Sequence, residues 1–305
     1  VYKRQSHDIE MHQGTVDLYL CKDGKTISNS ELYAGDKDIY STFRNRDPRM
    51  YHTIMPPYKV VDGKGDYTTW SYTSDPADRE YIDIMGPNES CSNPGVGMKR
   101  LPGQNWSASL VRRVPNLQGG AQYTIEGKKY GPHAYVACRS GYYVWKNWDN
   151  WEENYNNAQV NTADKPIFKI EEILLNYAEA MDAWKGADYT DNDHPLSARA
   201  ALNQVRSAAD MPAVTTDGDA FTESIRRERR VELAFEDHRF WDIRRWKIGD
   251  KTKAIYCIKI TLENGSPVYK KELLETRNWD DKMYLYPIPQ TEYYKNPNLG
   301  QNTGW

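Results

Sequence analysis

The sequence predicts a mostly α-helical protein, in which tetratricopeptide-like helical hairpins adjoin an irregular, loop-rich region with a few short strands. Two observations predict this fold class. From Asp164 onward, apolar residues recur at steps of three and four, the period of an amphipathic helix. Up to about residue 160 the chain is rich in Gly, Pro, Asn and Tyr, which favour turns between short strands such as YYVW (142–145). Short connections then make neighbouring helices antiparallel, as in stacked hairpins.

The first predicted helix begins near Pro166 and ends at Gly186. Its apolar residues form one stripe that is expected to face the core. The stripe comprises Ile170, Ile173, Leu174, Tyr177, Met181 and Trp184. Trp184 is therefore expected in the core, as are Trp241 and Trp246, because all three lie on predicted helix faces.

Two more helices follow. Pro195 can occupy the first turn of the second helix, which stops at Met211-Pro212. A third helix opens near Asp219 and carries the stretch IRRERRVELAFEDHRFWDIRRW. The apolar positions of the second helix are Ala198, Ala201, Leu202, Val205 and Ala209.

The C-terminal part is predicted to contain little helix. IYCIKITL (255–262) has the composition of a strand. Prolines and asparagines in the tail, YLYPIP followed by NPNLGQNTGW, argue against a regular helix there.

The chain divides into four expected segments. We expect residues 1–5, VYKRQ, to be non-native, because they resemble a translated sequencing adapter and show no initiator Met, signal peptide or lipid-attachment Cys. In this interpretation the true N-terminus is missing. Residues 6–160 form the loop-rich ligand-binding region, 161–250 the tetratricopeptide-like helices, and 251–305 strands and an irregular tail that pack on those helices.

Composition narrows the possible partners. Lys and Arg number 40 against 43 Asp and Glu, so the chain as a whole has no field that attracts nucleic acid. No apolar run approaches the roughly 18 residues of a membrane span. The chain has 23 Tyr and 10 Trp but only 5 Phe, and rings with a polar edge suit ligand surfaces.

Cysteine usage and short motifs predict neither a metal site nor an enzyme. Cys21, Cys91, Cys138 and Cys257 are far apart, so we expect them to be unpaired or to form at most one incidental disulfide. His7, Glu10 and His12 do not have the spacing of a zinc protease, and no G-x-S-x-G is present. No cofactor is predicted.

The arginine-rich stretch at 225–246 is interpreted as part of a structural scaffold rather than as a phosphate-binding site or a catalytic cluster of carboxylates. Its acids alternate with its arginines, and the pairs Arg229–Glu232 and Glu236–Arg239 are three residues apart on a helix. The local charge therefore nearly cancels. An apolar face is expected to pack on the core with ion pairs at its margin; it comprises Val231, Ala234, Phe235 and Trp241.

The same stretch resembles the signature helix of the SusD/RagB family, ER-x-x-E-x-x-x-E-x-x-R-x-x-D-x-x-RW. Asp237 departs from it, because family members often have Gly at this position. The matching residues are Glu228, Arg229, Glu232, Glu236, Arg239, Asp242, Arg245 and Trp246.

Further matches follow in the same order as in the family and extend over roughly residues 43 to 305. They are RDPRMYHTI, YYVWK, IFKIEEILLNYAEAMDAW, ALNQVRSAADMP and LYPIPQTEYYKNPNLGQNTGW. Family members are about twice as long, so the resemblance implies that an N-terminal part with further tetratricopeptide-like helices is missing here.

The resemblance implies a non-catalytic protein on the outer face of the outer membrane. Members cap a SusC-like TonB-dependent transporter and bind oligosaccharide, or peptide in RagB-like branches, for import. Membrane attachment would come only from an N-terminal lipid anchor that is absent from this chain. The alternative reading is a peptide-binding or protein-interaction scaffold of the same fold.

Loop aromatics are the predicted sugar platforms. If a sugar ring covers about 50–100 Å² of an aromatic face, each platform contributes on the order of 1–2.5 kcal/mol before entropy losses. Two or three platforms together with hydrogen bonds would give micromolar to millimolar binding. The candidates lie in DYTTWSYTSD, PGQNWSAS and WKNWDNW, and they are Trp70, Tyr72, Asn105, Trp106, Trp148 and Trp151.

Overall fold

The structure of the chain is a computed structural model. The structure describes residues 11–37, 41–54, 123–125, 128–130, 142, 144, 146, 166–264 and 266–305. Within these ranges the chain forms seven α helices and two antiparallel hairpins. The helices are α1 (Gln13–Val16), α2 (Pro48–Thr53), α3 (Ile170–Lys185), α4 (Ala198–Ala208), α5 (Gly218–Glu232), α6 (His238–Arg245) and α7 (Gln290–Lys295). The strands are β1 (Tyr123–Ile125), β2 (Lys128–Tyr130), β3 (Ala254–Glu263) and β4 (Ser266–Thr276).

Local chemistry sets the ends of α3 and α4. Acidic Glu171 and Glu172 lie in the first turn of α3 and complement the positive end of its dipole. Gly186 follows the helix with φ of +89°, a conformation that residues with a side chain avoid. The hydroxyl of Ser197 caps α4 by accepting a hydrogen bond from the backbone N–H of Ala200 at 3.1 Å.

Helices α3, α4 and α5 share one hydrophobic core. Small alanines on α4 let its backbone approach α3 closely, and Leu202 is completely buried between them. Truncating such a leucine costs about 2–5 kcal/mol. The buried members of this core are Leu175, Ala178, Met181, Ala198, Ala201, Leu202, Val205, Phe221 and Ile225. The stripe predicted for α4 is thereby confirmed from Ala198 to Val205.

The predicted stripe of α3 is partly wrong. Ile170, Ile173 and Trp184 are 65%, 52% and 54% exposed, whereas Leu175 and Ala178 are fully buried. The period was correct, but the face that α4 and α5 cover is centred on Leu175 and Ala178. Spacing alone gives the width of an apolar stripe and does not show which part of it has a neighbour.

The signature stretch does not form a single helix. It is interrupted between α5 and α6, where Phe235 and Asp237 take left-handed φ values of 62° and 64°. The expected apolar face is broken with it: Val231 is buried, but Phe235 is 41% and Trp241 62% exposed. Trp246 is half-buried, so the expectation that it lies in the core is also wrong.

The backbone conformation of residue 237 accounts for the Gly that family members often have at this position of the signature helix. Glycine adopts left-handed φ without steric cost, and aspartate is among the few other residues that tolerate it. Asp237 is exposed and forms no side-chain cap to α6. It therefore occupies a conformation that suits glycine and makes no compensating cap.

The C-terminal part contains a long hairpin. Strand β3 confirms the strand predicted at 255–262 and pairs antiparallel with β4, with Ile258 opposite Lys271. β4 was not predicted, because its sequence is rich in charged residues. A second hairpin pairs Tyr123 with Tyr130, and α1 lies against β3.

The tail is not free of helix, contrary to prediction. Helix α7 comprises the six residues between Pro289 and Asn296. Pro289 lies at the N-cap, where the missing N–H breaks no helical hydrogen bond. In the YYVW stretch, Val144 forms an isolated bridge with Ile54.

Candidate ligand-binding region and its charged framework

The predicted platforms lie outside the described residues. They are Trp70, Tyr72, Asn105, Trp106, Trp148 and Trp151. Their role therefore stays a prediction. The structure does describe the framework that holds neighbouring segments of the loop-rich region against the helices.

Three residues of the YYVWK stretch are tied to this framework. The hydroxyl of Tyr142 donates to Gln13 Oε1 at 2.6 Å, and the backbone N–H of Lys146 donates to the carbonyl of Thr53 at 3.3 Å. Tyr142 and Val144 are buried. The chain is thus fixed immediately before the sequence segment that contains Trp148 and Trp151.

Arg49 is the centre of a buried ion-pair group between α2 and α5. Asp47 caps α2 by accepting the N–H of Arg49, and its Oδ2 also lies 2.7 Å from the Arg49 guanidinium. The same guanidinium lies 2.5 Å from Glu228 Oε1 and 3.1 Å from Glu232 Oε2. Burial opposes the charge on Arg49, but Glu228 and Asp47 outweigh it and raise its pKa. The RDPR stretch is thereby fixed to the signature segment.

Glu228 uses both carboxylate oxygens in this framework and is only 2% exposed. Its Oε2 lies 3.0 Å from Nη1 of Arg206. Arg206 also donates from Nε to the carbonyl of Pro212 at 2.6 Å, so it joins α4 and the following loop to α5. Neither oxygen of Glu228 is left for chemistry on a ligand.

A lysine and glutamate group connects three separate parts of the chain. Lys169 Nζ lies 2.8 Å from Glu232 and 3.2 Å from Glu236, and Lys146 Nζ lies 2.6 Å from Glu236. Burial lowers the pKa of Lys146, and Glu236 only partly opposes this. For Lys169, burial is outweighed by Glu232 and Glu236, and its pKa is raised. This group holds the YYVWK stretch and the start of α3 against the break between α5 and α6.

A second framework ties α6 to α3 and α5. Arg229 Nε lies 3.0 and 2.9 Å from the two oxygens of Asp242, and its Nη1 donates to Asn176 at 2.7 Å. Asp242 is buried and also pairs with Arg245 at 2.8 Å. Because the carboxylate is shared by two arginines, it neutralises charge on both α5 and α6.

The outer edge of this framework uses Glu179 on α3. Its oxygens accept from Nη1 and Nη2 of Arg245, the latter at 2.7 Å, and from Nε1 of Trp246 at 2.7 Å. The Arg245 guanidinium also lies 4.4 Å from the Trp246 ring centroid. The half-buried position of Trp246 follows, since its N–H requires a partner at the rim.

The acids and arginines of the signature stretch pair as a scaffold, but not with the partners that their sequence spacing suggested. Glu232 pairs with Arg49 and Lys169 rather than with Arg229, and Glu236 pairs with the two lysines. Sequence reasoning missed Arg49 and Lys146 as members. Their place in the RDPR and YYVWK stretches, which recur with the signature helix, was the signal that could have identified them.

The chemistry of these carboxylates suits ion pairing. Burial alone would raise the pKa of Glu232, but Lys169 and Arg49 outweigh it and lower the pKa. The pKa of Glu179 is lowered against the effect of burial in the same way, mainly by hydrogen bonds from Arg245 and Trp246. A general acid for hydrolysis needs the opposite shift. Within the described ranges, no cluster of three or more His, Cys, Asp or Glu could hold a metal ion, and no helix is long and apolar enough to cross a bilayer.

The described residues include an exposed aromatic surface that sequence reasoning did not single out. Phe240 stacks on Tyr286 with ring centroids 6.2 Å apart, and Trp241 meets Phe240 edge-on at 5.0 Å. The Arg244 guanidinium lies 3.5 Å from the Phe240 centroid. The rings of this aromatic surface come from α6 and from the tail. These elements are separated in sequence, so no local sequence pattern indicates the surface.

Comparison with known proteins gives a consistent result. The model of the SusD family matches residues 1–305. SusD-like protein P2 of Formosa agariphila is 29% identical over 154 residues, which are 48% of this chain and 27% of that protein.

Two solved structures from Bacteroides fragilis share the fold. A SusD-like protein superposes with a TM-score of 0.57 at 24% identity, covering 97% of this chain and 47% of the other. A SusD-like carbohydrate binding protein superposes with a TM-score of 0.53 at 21% identity, covering 94% and 47%. The predicted fold class is thus confirmed, and the chain spans about half the length of these relatives.

Proposed function

Because this chain belongs to the SusD family, we propose that it binds oligosaccharide without altering it and delivers it to a SusC-like TonB-dependent transporter. In this proposal the whole protein is held by an N-terminal lipid on the outer face of the outer membrane. The observation that carries the proposal is the family match along the entire chain. The relative from Bacteroides fragilis that is named a carbohydrate binding protein supports the same cargo class.

The pairing of the charges supports a non-catalytic role. Glu228 and Asp242, the most deeply buried acids of the signature stretch, each hold two arginines. A hydrolase of glycosides needs two carboxylates with distinct pKa values on either side of a bond. These acids instead fix the positions of helices and of the segments that lead into the loop-rich region.

Cargo capture is assigned to rings of the loop-rich region. Sugars offer apolar C–H faces that stack on indole and phenol rings, with hydroxyl groups that bond to neighbouring amides such as Asn105. Trp106 follows Gly, Gln and Asn in the sequence and has no apolar periodicity around it. Weak, reversible binding in the micromolar to millimolar range suits a protein that hands its ligand on.

Affinity gel electrophoresis with a panel of polysaccharides tests the proposal. We expect one or more polysaccharides to retard the chain, and Trp70→Ala or Trp106→Ala to weaken retardation without lowering the melting temperature. Trp241→Ala is the matched control, because it removes an exposed indole from α6, outside the loop-rich region. Unchanged retardation of both loop variants would remove these residues as platforms.

A peptide cargo is the competing outcome. It would appear as capture of peptides from a digest with no retardation by any polysaccharide. Hydrolysis of labelled polysaccharide by the purified chain would instead contradict the non-catalytic role.

A further inference from the structure

A cavity of about 340 Å³ lies between the Leu20–Asn29 segment and helices α4 and α5. The loop after α4, which contains Thr215 and Thr216, completes its wall. A volume of this size lies at the lower end of small-molecule sites and accommodates a single sugar ring. None of the described residues that line the cavity belongs to the aromatic segments proposed above.

The wall formed by Leu20–Asn29 is a preformed turn. Its geometry is fixed by two hydrogen bonds, from the N–H of Cys21 to the carbonyl of Lys25 at 2.9 Å and from the N–H of Gly24 to the carbonyl of Cys21 at 2.8 Å. Gly24 has φ of +77°, a left-handed conformation that residues with a side chain rarely adopt. Glycine therefore permits the backbone of this turn without strain.

Two arginines face the cavity, and they differ in their partners. Arg206 is 3% exposed and is occupied by Glu228 and by the carbonyl of Pro212. Arg227 on α5 is half-buried, and within the described part of the chain it makes no hydrogen bond or ion pair. Burial lowers the pKa of Arg227; Glu223 and Glu228 oppose this effect in part, and Arg206 adds to it. A desolvated guanidinium without a partner is costly, and an incoming anion removes that cost.

The remaining polar groups add hydroxyl and amide partners. Ser224 and Thr216 line the cavity, and the exposed side chain of Asn29 lies at its rim. Among the described residues of the wall, Asp23 is the one acid; it accepts hydrogen bonds from the hydroxyl of Ser30 at 2.8 Å and from the backbone N–H of Lys25 at 3.1 Å. The ammonium group of Lys25 lies 4.0 Å from Asp23 and offsets its charge, which leaves Arg227 as the wall's unpaired charge among the described residues.

We propose that this cavity binds one acidic sugar unit, with the carboxylate on Arg227 and the ring hydroxyls on the surrounding hydroxyl and amide groups. A guanidinium matches a carboxylate in a bidentate geometry, which neutral sugars cannot use. The inference rests on the proposed function and deepens it, since it assigns acidic glycans as the cargo class. A sulfated sugar offers the same charge, and the test separates it from a uronate.

Isothermal titration of the full chain tests the site with sodium glucuronate, glucose 6-sulfate, glucose and sodium acetate. We expect glucuronate to bind about ten-fold or more tightly than glucose or acetate. Arg227→Gln should lose about ten-fold or more of this affinity, and Arg227→Lys less, because a lysine keeps the charge but not the fork. Tighter binding of glucose 6-sulfate would reassign the acidic group to a sulfate.

Arg226→Gln is the matched control, because Arg226 is the adjacent arginine on α5, lies outside the cavity wall and pairs with Glu223 at 2.8 Å. Its affinity for glucuronate should stay within about two-fold of the parent chain. Asn29→Ala, at the rim, should weaken binding without affecting the fold. Melting temperatures of all variants confirm that each is folded.

The inference would be overturned if the parent chain bound no glucuronate, or if Arg227→Gln bound it equally well. Acetate binding as tightly as glucuronate would also overturn it, because the ring would then contribute nothing. Retardation by polysaccharide gels distinguishes the two proposals. A chain that is retarded but binds no glucuronate retains the proposed function and loses only this site.

Discussion

Replacement of Glu228 by Gln is the sharpest perturbation of the charged framework. The substitution keeps the shape of the side chain and removes the charge that Arg49 and Arg206 share at 2.5 and 3.0 Å. At an effective dielectric constant of about 20, Coulomb's law gives about 6–7 kcal/mol for the shorter pair and about 5–6 kcal/mol for the longer one. Arg49 keeps Asp47 and Glu232, whereas buried Arg206 keeps only the carbonyl of Pro212.

We therefore expect Glu228→Gln to lower the free energy of unfolding by about 3–5 kcal/mol, the cost of leaving a buried charge without its partner. Urea unfolding followed by the helical circular dichroism signal measures this loss. Glu223→Gln on the same helix is the control, because the pair between Glu223 and Arg226 is largely exposed and is worth about 0–1 kcal/mol. A loss below about 1 kcal/mol for Glu228→Gln would refute the view that this carboxylate holds the scaffold together.

Two further predictions concern the break between α5 and α6 and the response to acid. Asp237→Gly should raise the free energy of unfolding by about 0.5–1 kcal/mol, because it relieves a left-handed conformation without removing a cap. Asp219→Gly, in the first turn of α5, should instead lower the free energy of unfolding. Urea unfolding of both variants measures the two changes, and a loss of stability in Asp237→Gly would contradict the prediction. Glu232 and Glu179 have lowered pKa values in the folded chain, so the stability they provide is present above the ordinary glutamate value of 4.5 and is lost as pH falls through their folded pKa values. Thermal unfolding between about pH 6 and pH 3 should show this loss, and the melting temperature should fall less steeply with pH for Glu232→Gln than for exposed Glu223→Gln. Equal slopes would contradict the assignment of this stability to the Glu232 carboxylate.

The helical part of the fold was largely predictable because its signals are local. The positions of α4 and α5, and the end of α3 at Gly186, follow from spacing and breakers within a few residues. The interpretation of the arginine-rich stretch as a scaffold also followed from local charge cancellation.

Features that depend on contacts distant in sequence were not predictable. Which side of α3 is buried depends on where α4 and α5 lie, so Ile173 and Trp184 were misplaced. The interruption at Asp237 replaces an expected continuous helix, because aspartate does not mark a left-handed position as glycine does. Strand β4 is stabilised by its pairing with β3 and has little apolar pattern of its own.

The features of the candidate site likewise differ in whether the sequence indicates them. Glu228 lies 179 residues from Arg49 in sequence, yet the two meet within hydrogen-bonding distance, and only the recurrence of the family motifs connects them in sequence. The Arg227 cavity has no sequence signal, because its wall combines a turn, a loop and two helices. The ring platforms at Trp70 and Trp106 stay predictions from composition and resemblance.

Side-by-side measurement of polysaccharide retardation and melting temperature for Glu228→Gln and for the double variant Trp70→Ala/Trp106→Ala tests the division of labour most directly. We predict that the double variant melts at the parent temperature and is no longer retarded by neutral polysaccharides, whereas Glu228→Gln melts lower and, while folded, is retarded by them as strongly as the parent chain. Loss of this retardation in folded Glu228→Gln together with full retardation of the double variant would contradict the assignment of the Glu228 ion pairs to the scaffold and of the rings to the binding of neutral sugars.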